Sequence, residues 1–215
     1  MRIGVFDSGV GGLSVAKAIE AELPQAEVLF RHDSAEHFPY ATKSPEEIYG
    51  FILPIFQELV DAGCDVIVVA CNTVSTTLIG RLRGAFAVPL VGLEPMVKPA
   101  AALTKSGVIA VCATPTTLAS ARYAWLKETY GQACTFIEPD CADWSYLIEH
   151  NQMNEARIRQ EMEPALKAGA DVVVLGCTHY HWIEGEIKQI VAGSAQVIQP
   201  EAAVVQQVKR VLNLA

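Results

Sequence analysis

The chain has 215 residues, of which 51% are hydrophobic and 19% charged, and its mean hydropathy is +0.27. This composition excludes a disordered chain and favours strands buried on both faces of a parallel sheet, and the length suits two compact lobes of about 100 residues each. The formal net charge of −8 disfavours nucleic acid and anionic membranes as partners, because both would meet a repulsive long-range field.

The sequence favours a cytoplasmic protein with free thiols. No apolar run approaches the ~20 residues that a membrane span needs, and Met1 leads into an apolar strand without the layout of a signal peptide. The six cysteines contain no C-x-x-C pair, so neither a zinc ribbon nor a thioredoxin motif is indicated. In a reducing compartment they should remain unpaired.

The first half alternates strand and helix, as in a doubly wound sheet. In chain order we predict strands at Ile3–Asp7, Val28–Arg31, Val66–Ala70 and Leu90–Gly92, and helices at Leu13–Glu22, from Ser44 to about Ala62 and at Ser75–Phe86. Ser44, Pro45 and Glu47 form a helix start with a capping box. Pro54 should kink that helix or lie near a break.

The second half repeats this pattern. AGCDVIVVACNT (Ala62–Thr73) is echoed by AGADVVVLGCTH (Ala168–His179), and the same offset of 106 residues lays the strand at Ile3 over a strand at Ile109. Two such runs could recur by chance, but the shared lead-in, strand length and cysteine position favour duplication. Further helices are predicted at Thr116–Tyr130, Asn154–Ala168 and Glu184–Val191 and from Gln199-Pro200-Glu201 to about Leu212. We expect the lobes to comprise residues 1–94 with 200–215, and residues 95–199.

Polar side chains follow the predicted strands, at the edge where open α/β sheets bind ligands. These segments are Asp7-Ser8, Cys71-Asn72-Thr73, Thr114-Pro115-Thr116-Thr117 and Cys177-Thr178-His179. If the lobes face each other, the two cysteines meet across one cleft, which suits inversion of a carbon centre: one thiolate removes a proton and the other thiol returns one to the opposite face. The pKa of a free cysteine, about 8.5, is close enough to neutral for both roles.

The neighbours of the two cysteines suggest further roles. Asp7 and His179 could assist proton movement, each beside one thiol. Side chains and backbone N–H groups could hold substrate carboxylates at Ser8, Asn72, Thr73, Thr114 and Thr178.

Other readings of these motifs are weaker. Gly9-x-Gly11-Gly12 with a later Asp33 resembles a dinucleotide fingerprint, but Ser14 occupies the third glycine position. A thiol phosphatase requires an arginine soon after its cysteine, and neither Cys71 nor Cys177 has one. No lysine directly follows a candidate strand, so a Schiff-base cofactor site is not indicated. His179-x-His181 lacks the partners of a metal site. Structural burial is the better interpretation for Cys64, Cys112 and Cys134, and a place at the surface or behind the site for His32, His37 and His150.

The chain resembles the cofactor-independent aspartate/glutamate racemase family in the stretches GVFDSGVGGLSV, FPYATKS, VACNTVST, GLEPMVKPA and LGCTHYH, which span about the first 180 residues. The resemblance implies two pseudo-symmetric α/β lobes, each a doubly wound, flavodoxin-like parallel sheet, with the active site between them. It implies interconversion of L- and D-glutamate without metal or organic cofactor, the supply of D-glutamate for peptidoglycan, and a homodimer.

By matching positions, the resemblance assigns Cys71 and Cys177 as the acid/base pair, with Asp7 and His179 assisting. Glu149 would be a further helper, eight positions after Cys141. The implied substrate contacts are Asp7, Ser8, Tyr40, Ala41, Asn72, Thr73, Thr114, Thr117, Thr178 and His179.

Some positions depart from the family pattern. Ala41 stands where glycine is usual, Ala142 where proline is usual, and Gln199-Pro200 where Asp-Ser is usual, and several tens of C-terminal residues are lacking. Two alternatives therefore stay open: a racemase for aspartate or another amino acid, and a non-catalytic amino-acid-binding relative.

Overall fold

In the computed structural model, which describes residues 1–40 and 43–214, the chain forms two compact α/β units. The first comprises residues 1–93 with the segment from Pro200 onward, and the second comprises residues 94–199. The first unit contains β1 (Arg2–Asp7), β2 (Glu27–His32), β3 (Val66–Val69), β4 (Leu90–Gly92), α1 (Leu13–Glu22), α2 (Pro45–Asp61), α3 (Asn72–Ala85) and α10 (Glu201–Val211). The second contains β5 (Val108–Cys112), β6 (Thr135–Ile137), β7 (Val172–Leu175), β8 (Gln196–Ile198), α4 (Val97–Leu103), α5 (Pro115–Leu118), α6 (Ala121–Tyr130), α7 (Trp144–Glu149), α8 (Glu155–Lys167), α9 (Glu184–Val191) and a 3-10 helix at Thr178–Ile183.

Each unit is built on a four-stranded parallel sheet with the same topology. The strand orders are β2-β1-β3-β4 and β6-β5-β7-β8. Ile3 pairs with Val66 and Ile109 with Val172, so one offset of 106 residues (109 − 3 and 172 − 66) relates both inner strand pairs. This is the order of flavodoxin-like sheets. The prediction of two similar α/β lobes with doubly wound parallel sheets is confirmed.

Helices cover both faces of each sheet. Alternate residues of a strand point to opposite faces, so Val5 packs with α1 and α10, whereas Phe6 packs with α2 and α3. In the second unit, Cys112 packs towards α7, α8 and α9, and Val111 towards α4 and α6. Burial on both faces explains why β3 and β7 are continuous apolar runs.

The repeated Ala-Gly-x-Asp lead-in joins a helix to the next strand. Gly63 and Gly169 follow α2 and α8 in the left-handed conformation that favours glycine, with φ of +75° and +79°. Asp65 Oδ2 then accepts the N–H of Arg2 at 2.7 Å, and Asp171 accepts two N–H groups of the loop before β5 at 2.7 and 2.8 Å. The repeated phrase thus ends a helix and ties the strand after it to the start of the neighbouring strand.

Several predicted elements are confirmed in detail, including α1, α9 and the capping box at Ser44. α2 continues through Pro54, and α3 begins at Asn72, three residues earlier than predicted. The single helix predicted at Thr116–Tyr130 is wrong. It forms two helices, because the Ser120 side chain caps a new helix by accepting the N–H of Tyr123.

Five short elements of the second unit were not predicted from the sequence, namely α4, β6, α7, the 3-10 helix at Thr178–Ile183 and β8. Within residues 1–40 and 43–214, no helix combines the length and the apolar character needed to cross a bilayer.

Candidate active site

Cys71 lies directly after β3, where the chain enters α3, and its side chain is 5% exposed. Since β1 pairs with β3, the segment after β1 reaches the same place, and the Cys71 Sγ lies 3.5 Å from the Oγ of Ser8. The connections of the sheet reverse direction between β1 and β3, the point at which doubly wound sheets bind ligands. Cys71 is also the N-cap of α3, and the helix dipole favours negative charge there.

Asp7 is fully buried at the end of β1 and is held by the glycine-rich turn that follows. Its Oδ2 accepts the N–H of Gly12 at 2.6 Å. A Cβ atom on residue 12 would lie 2.7 Å from the Cβ of Asp7, so only glycine permits this approach. Asp7 and Ser8 on one strand end and Cys71 on the next are therefore brought to one edge of the sheet.

Asn72 carries a buried amide with unused hydrogen-bonding capacity. Its side chain is 3% exposed, yet neither Oδ1 nor Nδ2 has a hydrogen-bond partner among the described residues. A buried polar group without a partner costs about 1–3 kcal/mol. A ligand with a carboxylate or an ammonium group would remove that cost. Thr73, the next residue of α3, is buried as well.

Tyr40 lies in the loop between β2 and α2, and its ring packs in the apolar cluster that contains Phe6 and Cys71. Its hydroxyl donates to Asp33 Oδ2 at 2.5 Å. Burial, with the hydrogen bond to Asp33, raises the pKa of Tyr40 far above its usual range. Ala41, the predicted substrate contact beside it, lies outside the described residues.

Cys177 occupies the same place in the second unit, directly after β7, with 8% exposure. Its Sγ lies 3.9 Å from His179 Nδ1, and His179 Nε2 lies 2.5 Å from Glu149 Oε2. An ionised carboxylate only accepts hydrogen bonds, so beside ionised Glu149 the Nε2 atom carries the proton of the neutral ring, and Nδ1, which faces Cys177, can accept the thiol proton. The three side chains thus form a relay in which a proton can leave the sulfur while Glu149 stabilises the imidazolium.

The predicted threonines of the second unit lie at the sheet edge that carries Cys177. Thr114 caps α5, because its Oγ1 accepts the N–H of Thr117 at 3.3 Å, and it also donates to the Thr117 hydroxyl at 3.0 Å. Both residues are buried, as is Thr178 after Cys177. Within each unit, the structure therefore groups the predicted residues that it describes around one thiol.

The other four cysteines pack against the apolar interior and do not belong to the candidate site. Cys64, Cys112 and Cys141 are buried and Cys134 is half-buried, and none forms a disulfide. Burial raises the pKa of Cys141, and a hydrogen bond with Cys112 adds to this effect. Thiols in such apolar surroundings are inert. Within the described ranges, no group of three or more His, Cys, Asp or Glu side chains could hold a metal ion.

The hydrogen bonds of Asp33 were not predicted from the sequence, where this residue was considered only as the acidic residue of a dinucleotide-binding motif. The structure shows Asp33 buried, with hydrogen bonds from the side chains of both His37 and Tyr40. The one local signal was a carboxylate two residues after the predicted strand Val28–Arg31.

Comparisons with known proteins agree with this fold. Residues 3–208 match the family model described as Asp/Glu/Hydantoin racemase. The chain is 41% identical to the glutamate racemase of Ralstonia pickettii, in an alignment that covers 99% of this chain and 77% of that protein. The crystal structure of Escherichia coli glutamate racemase in complex with L-glutamate and the activator UDP-MurNAc-Ala has a TM-score of 0.91 at 30% identity, covering 99% of this chain and 82% of that one. Glutamate racemase from Francisella tularensis in complex with D-glutamate has a TM-score of 0.83 at 26% identity, covering 99% and 81%.

Proposed function

This chain belongs to the Asp/Glu/Hydantoin racemase family, and we propose that it is an isomerase that interconverts L- and D-glutamate by proton transfer at the α-carbon. The observation that carries the proposal is the pair of buried thiols, Cys71 and Cys177, each placed directly after the third strand of its sheet and beside hydrogen-bonding partners. Similarity to glutamate racemases over 99% of the chain supports glutamate as the substrate.

The two thiols act on one α-carbon in this scheme. One sulfur, as thiolate, takes the α-proton from one face, and the electron pair of the broken C–H bond is delocalised into the α-carboxylate. The other sulfur, as thiol, then gives a proton to the opposite face of the same carbon. One proton leaves and one arrives, so the reaction involves no oxidation or reduction and requires no metal or organic cofactor.

The two thiols have different helpers. His179 accepts the proton of Cys177, and Glu149 stabilises the charge that the ring then carries. Cys71 has the N-terminus of α3 and the hydroxyl of Ser8 beside it, with Asp7 on the neighbouring strand end. Each thiol therefore has its own means of reaching the protonation state that its step requires.

Donors around the thiols bind the substrate and meet the negative charge that develops on the α-carboxylate, an effect worth several kcal/mol in other enzymes. The unused amide of Asn72 is the strongest structural support for such a contact. We propose as substrate contacts Asp7, Ser8, Tyr40, Ala41, Asn72, Thr73, Thr114, Thr117, Thr178 and His179.

In the cell, the product would serve as D-glutamate for peptidoglycan synthesis. A cytoplasmic location fits cysteines that must stay reduced to work. We further propose that the chain acts as a homodimer, and that residues 1–94 with 200–215 and residues 95–199 are the lobes that supply one thiol each.

Circular dichroism of the free amino acid tests this function. Purified protein should remove the signal of L-glutamate and of D-glutamate at matched rates, with much lower rates for aspartate and other amino acids. Faster racemisation of aspartate would reassign the substrate. Tight binding of glutamate without loss of signal would identify a non-catalytic relative.

A further inference from the structure

Asp33 is a buried charge that the two-thiol scheme does not use. It is 5% exposed and follows β2 directly, and its N–H donates to the carbonyl of Asp7 at 3.3 Å. A buried carboxylate is costly unless hydrogen bonds fill its lone pairs. Asp33 therefore depends on the donors that surround it.

Among the described residues, the donors to this carboxylate come from the loop that leads from β2 to α2. Its Oδ1 accepts the N–H of Ser34 at 2.7 Å and bonds to His37 Nδ1 at 2.9 Å, while its Oδ2 accepts the hydroxyl of Tyr40 at 2.5 Å. The ring of His37 stacks on Phe51 of α2, with centroids 3.8 Å apart and planes 4° apart. The carboxylate thus ties Ser34, His37 and Tyr40 to the end of β2, and His37 carries the link to α2.

Tyr40 connects this network with the thiol of the first unit. Its ring belongs to the cluster that contains Cys71, and burial, followed by the hydrogen bond to Asp33 and the charge of that carboxylate, raises its pKa. The phenol therefore stays protonated at neutral pH and donates its hydrogen bond. Asp33, rather than a substrate atom, accepts that bond.

We propose that Asp33 is a positioning residue that fixes Tyr40, one of the proposed substrate contacts, while His37 anchors the other carboxylate oxygen. The inference rests on the proposed function, because Tyr40 belongs to the proposed substrate contacts. Asp33 acts through Tyr40 and not on the reacting atoms. Its loss should therefore weaken the binding of substrate and transition state alike, which raises KM and spares kcat.

Asp33→Asn is the first test, because it conserves shape but presents an N–H group where an oxygen should accept. We expect KM for both enantiomers to rise about tenfold, equivalent to about 1.4 kcal/mol, with kcat within about twofold of the wild type. Since the equilibrium constant of racemisation is 1, kcat/KM must fall equally in both directions, which checks the data. Asp61→Asn is the matched control. This carboxylate at the end of α2 is exposed and accepts a hydrogen bond from Gln57, so its change should leave KM unaltered.

Two further variants separate positioning from general loss of structure. Tyr40→Phe removes only the hydroxyl, and the double variant Asp33→Asn/Tyr40→Phe should have a KM no higher than the worse single variant, because both changes break one interaction. His37→Phe keeps a ring on Phe51 and removes the bond to Asp33. It should raise KM about threefold, and it serves as the readout if Asp33→Asn does not fold.

A wild-type KM in Asp33→Asn or in a folded His37→Phe would overturn the inference. So would a fall in kcat at unchanged KM, or KM effects that multiply in the double variant. A wild-type protein that does not racemise glutamate would refute the proposed function as well, and the wild-type assay alone reveals that outcome.

Discussion

Gly12→Ala should displace the carboxylate of Asp7 without disturbing the helix that follows. Gly12 has φ −65° and ψ −5°, a conformation that alanine adopts without strain. The added Cβ, however, would lie 2.7 Å from the Cβ of Asp7 and 3.2 Å from that of Ala70. Ordinary contact begins at 3.4 Å, so the turn and the end of β1 must separate by about 0.7 Å (3.4 − 2.7).

This displacement has two measurable costs. Overpacking of this kind destabilises a protein by about 1–3 kcal/mol, which urea unfolding measures. A shift of about 1 Å in a catalytic group lowers rates about 100-fold, so we expect kcat for glutamate to fall about 10- to 100-fold.

Gly80→Ala is the matched control, since residue 80 lies within α3 and a Cβ there would have nothing within 4 Å. It should gain up to about 1 kcal/mol from helix propensity and keep its activity. A Gly12→Ala variant as stable and as active as Gly80→Ala would refute the argument that close packing positions Asp7.

Two further substitutions test other parts of the structure. Partial burial disfavours the ionised form of Asp171, but hydrogen bonds from the loop before β5 outweigh it and hold the pKa of Asp171 well below its usual range. A carboxyl with a depressed pKa stabilises the fold above its unfolded pKa of about 3.9, and this stabilisation is lost as the pH falls below that value. Asp171→Asn should therefore lower the free energy of unfolding by about 1–2 kcal/mol at pH 7, after allowance for solvent screening, and by less at pH 3. Urea unfolding at both pH values measures this loss, and a loss of the same size at both would contradict the prediction. Glu149→Gln removes the charge that faces His179 and should lower kcat about 10- to 100-fold in both directions. The control Glu155→Gln, which changes an exposed ion pair, should keep the wild-type rate. Equal rates for the two variants in steady-state assays would show that Glu149 takes no part in the relay.

The strong periodic signals of the sequence predicted the framework of the fold. The apolar runs at β3 and β7 must be buried on both faces, and the glycine and aspartate before each run fix where the helix ends and the strand begins. Because these signals are local, one sequence suffices to reveal them.

Short elements gave too little pattern to detect. β6 and β8 have three residues each and α7 has six, which is less than the span over which a period can be recognised. α7 nevertheless carries Glu149, so the second thiol's relay depends on an element that only the packing of Trp144 and Tyr180 reveals. The split at Ser120 shows the converse case, in which a local cap overrode a continuous helical pattern.

The candidate site likewise has features that the sequence predicts and features that only the folded chain reveals. Residues next to a strand end, such as Cys71 and Cys177, could be found because the fold places every strand end at one edge of its sheet. The hydrogen bond between Tyr40 and Asp33 could not be predicted, because it forms only when a loop folds back on the end of β2.

Racemisation in deuterated water, followed by proton NMR and mass spectrometry, tests the two-thiol mechanism most directly. Newly formed product of either hand should carry one α-deuterium while the remaining substrate keeps its proton at early times, because different thiols remove and supply the proton. Cys71→Ala and Cys177→Ala should each abolish racemisation. Product that retains the substrate's own proton, or wild-type racemisation by either variant, would contradict the two-thiol mechanism.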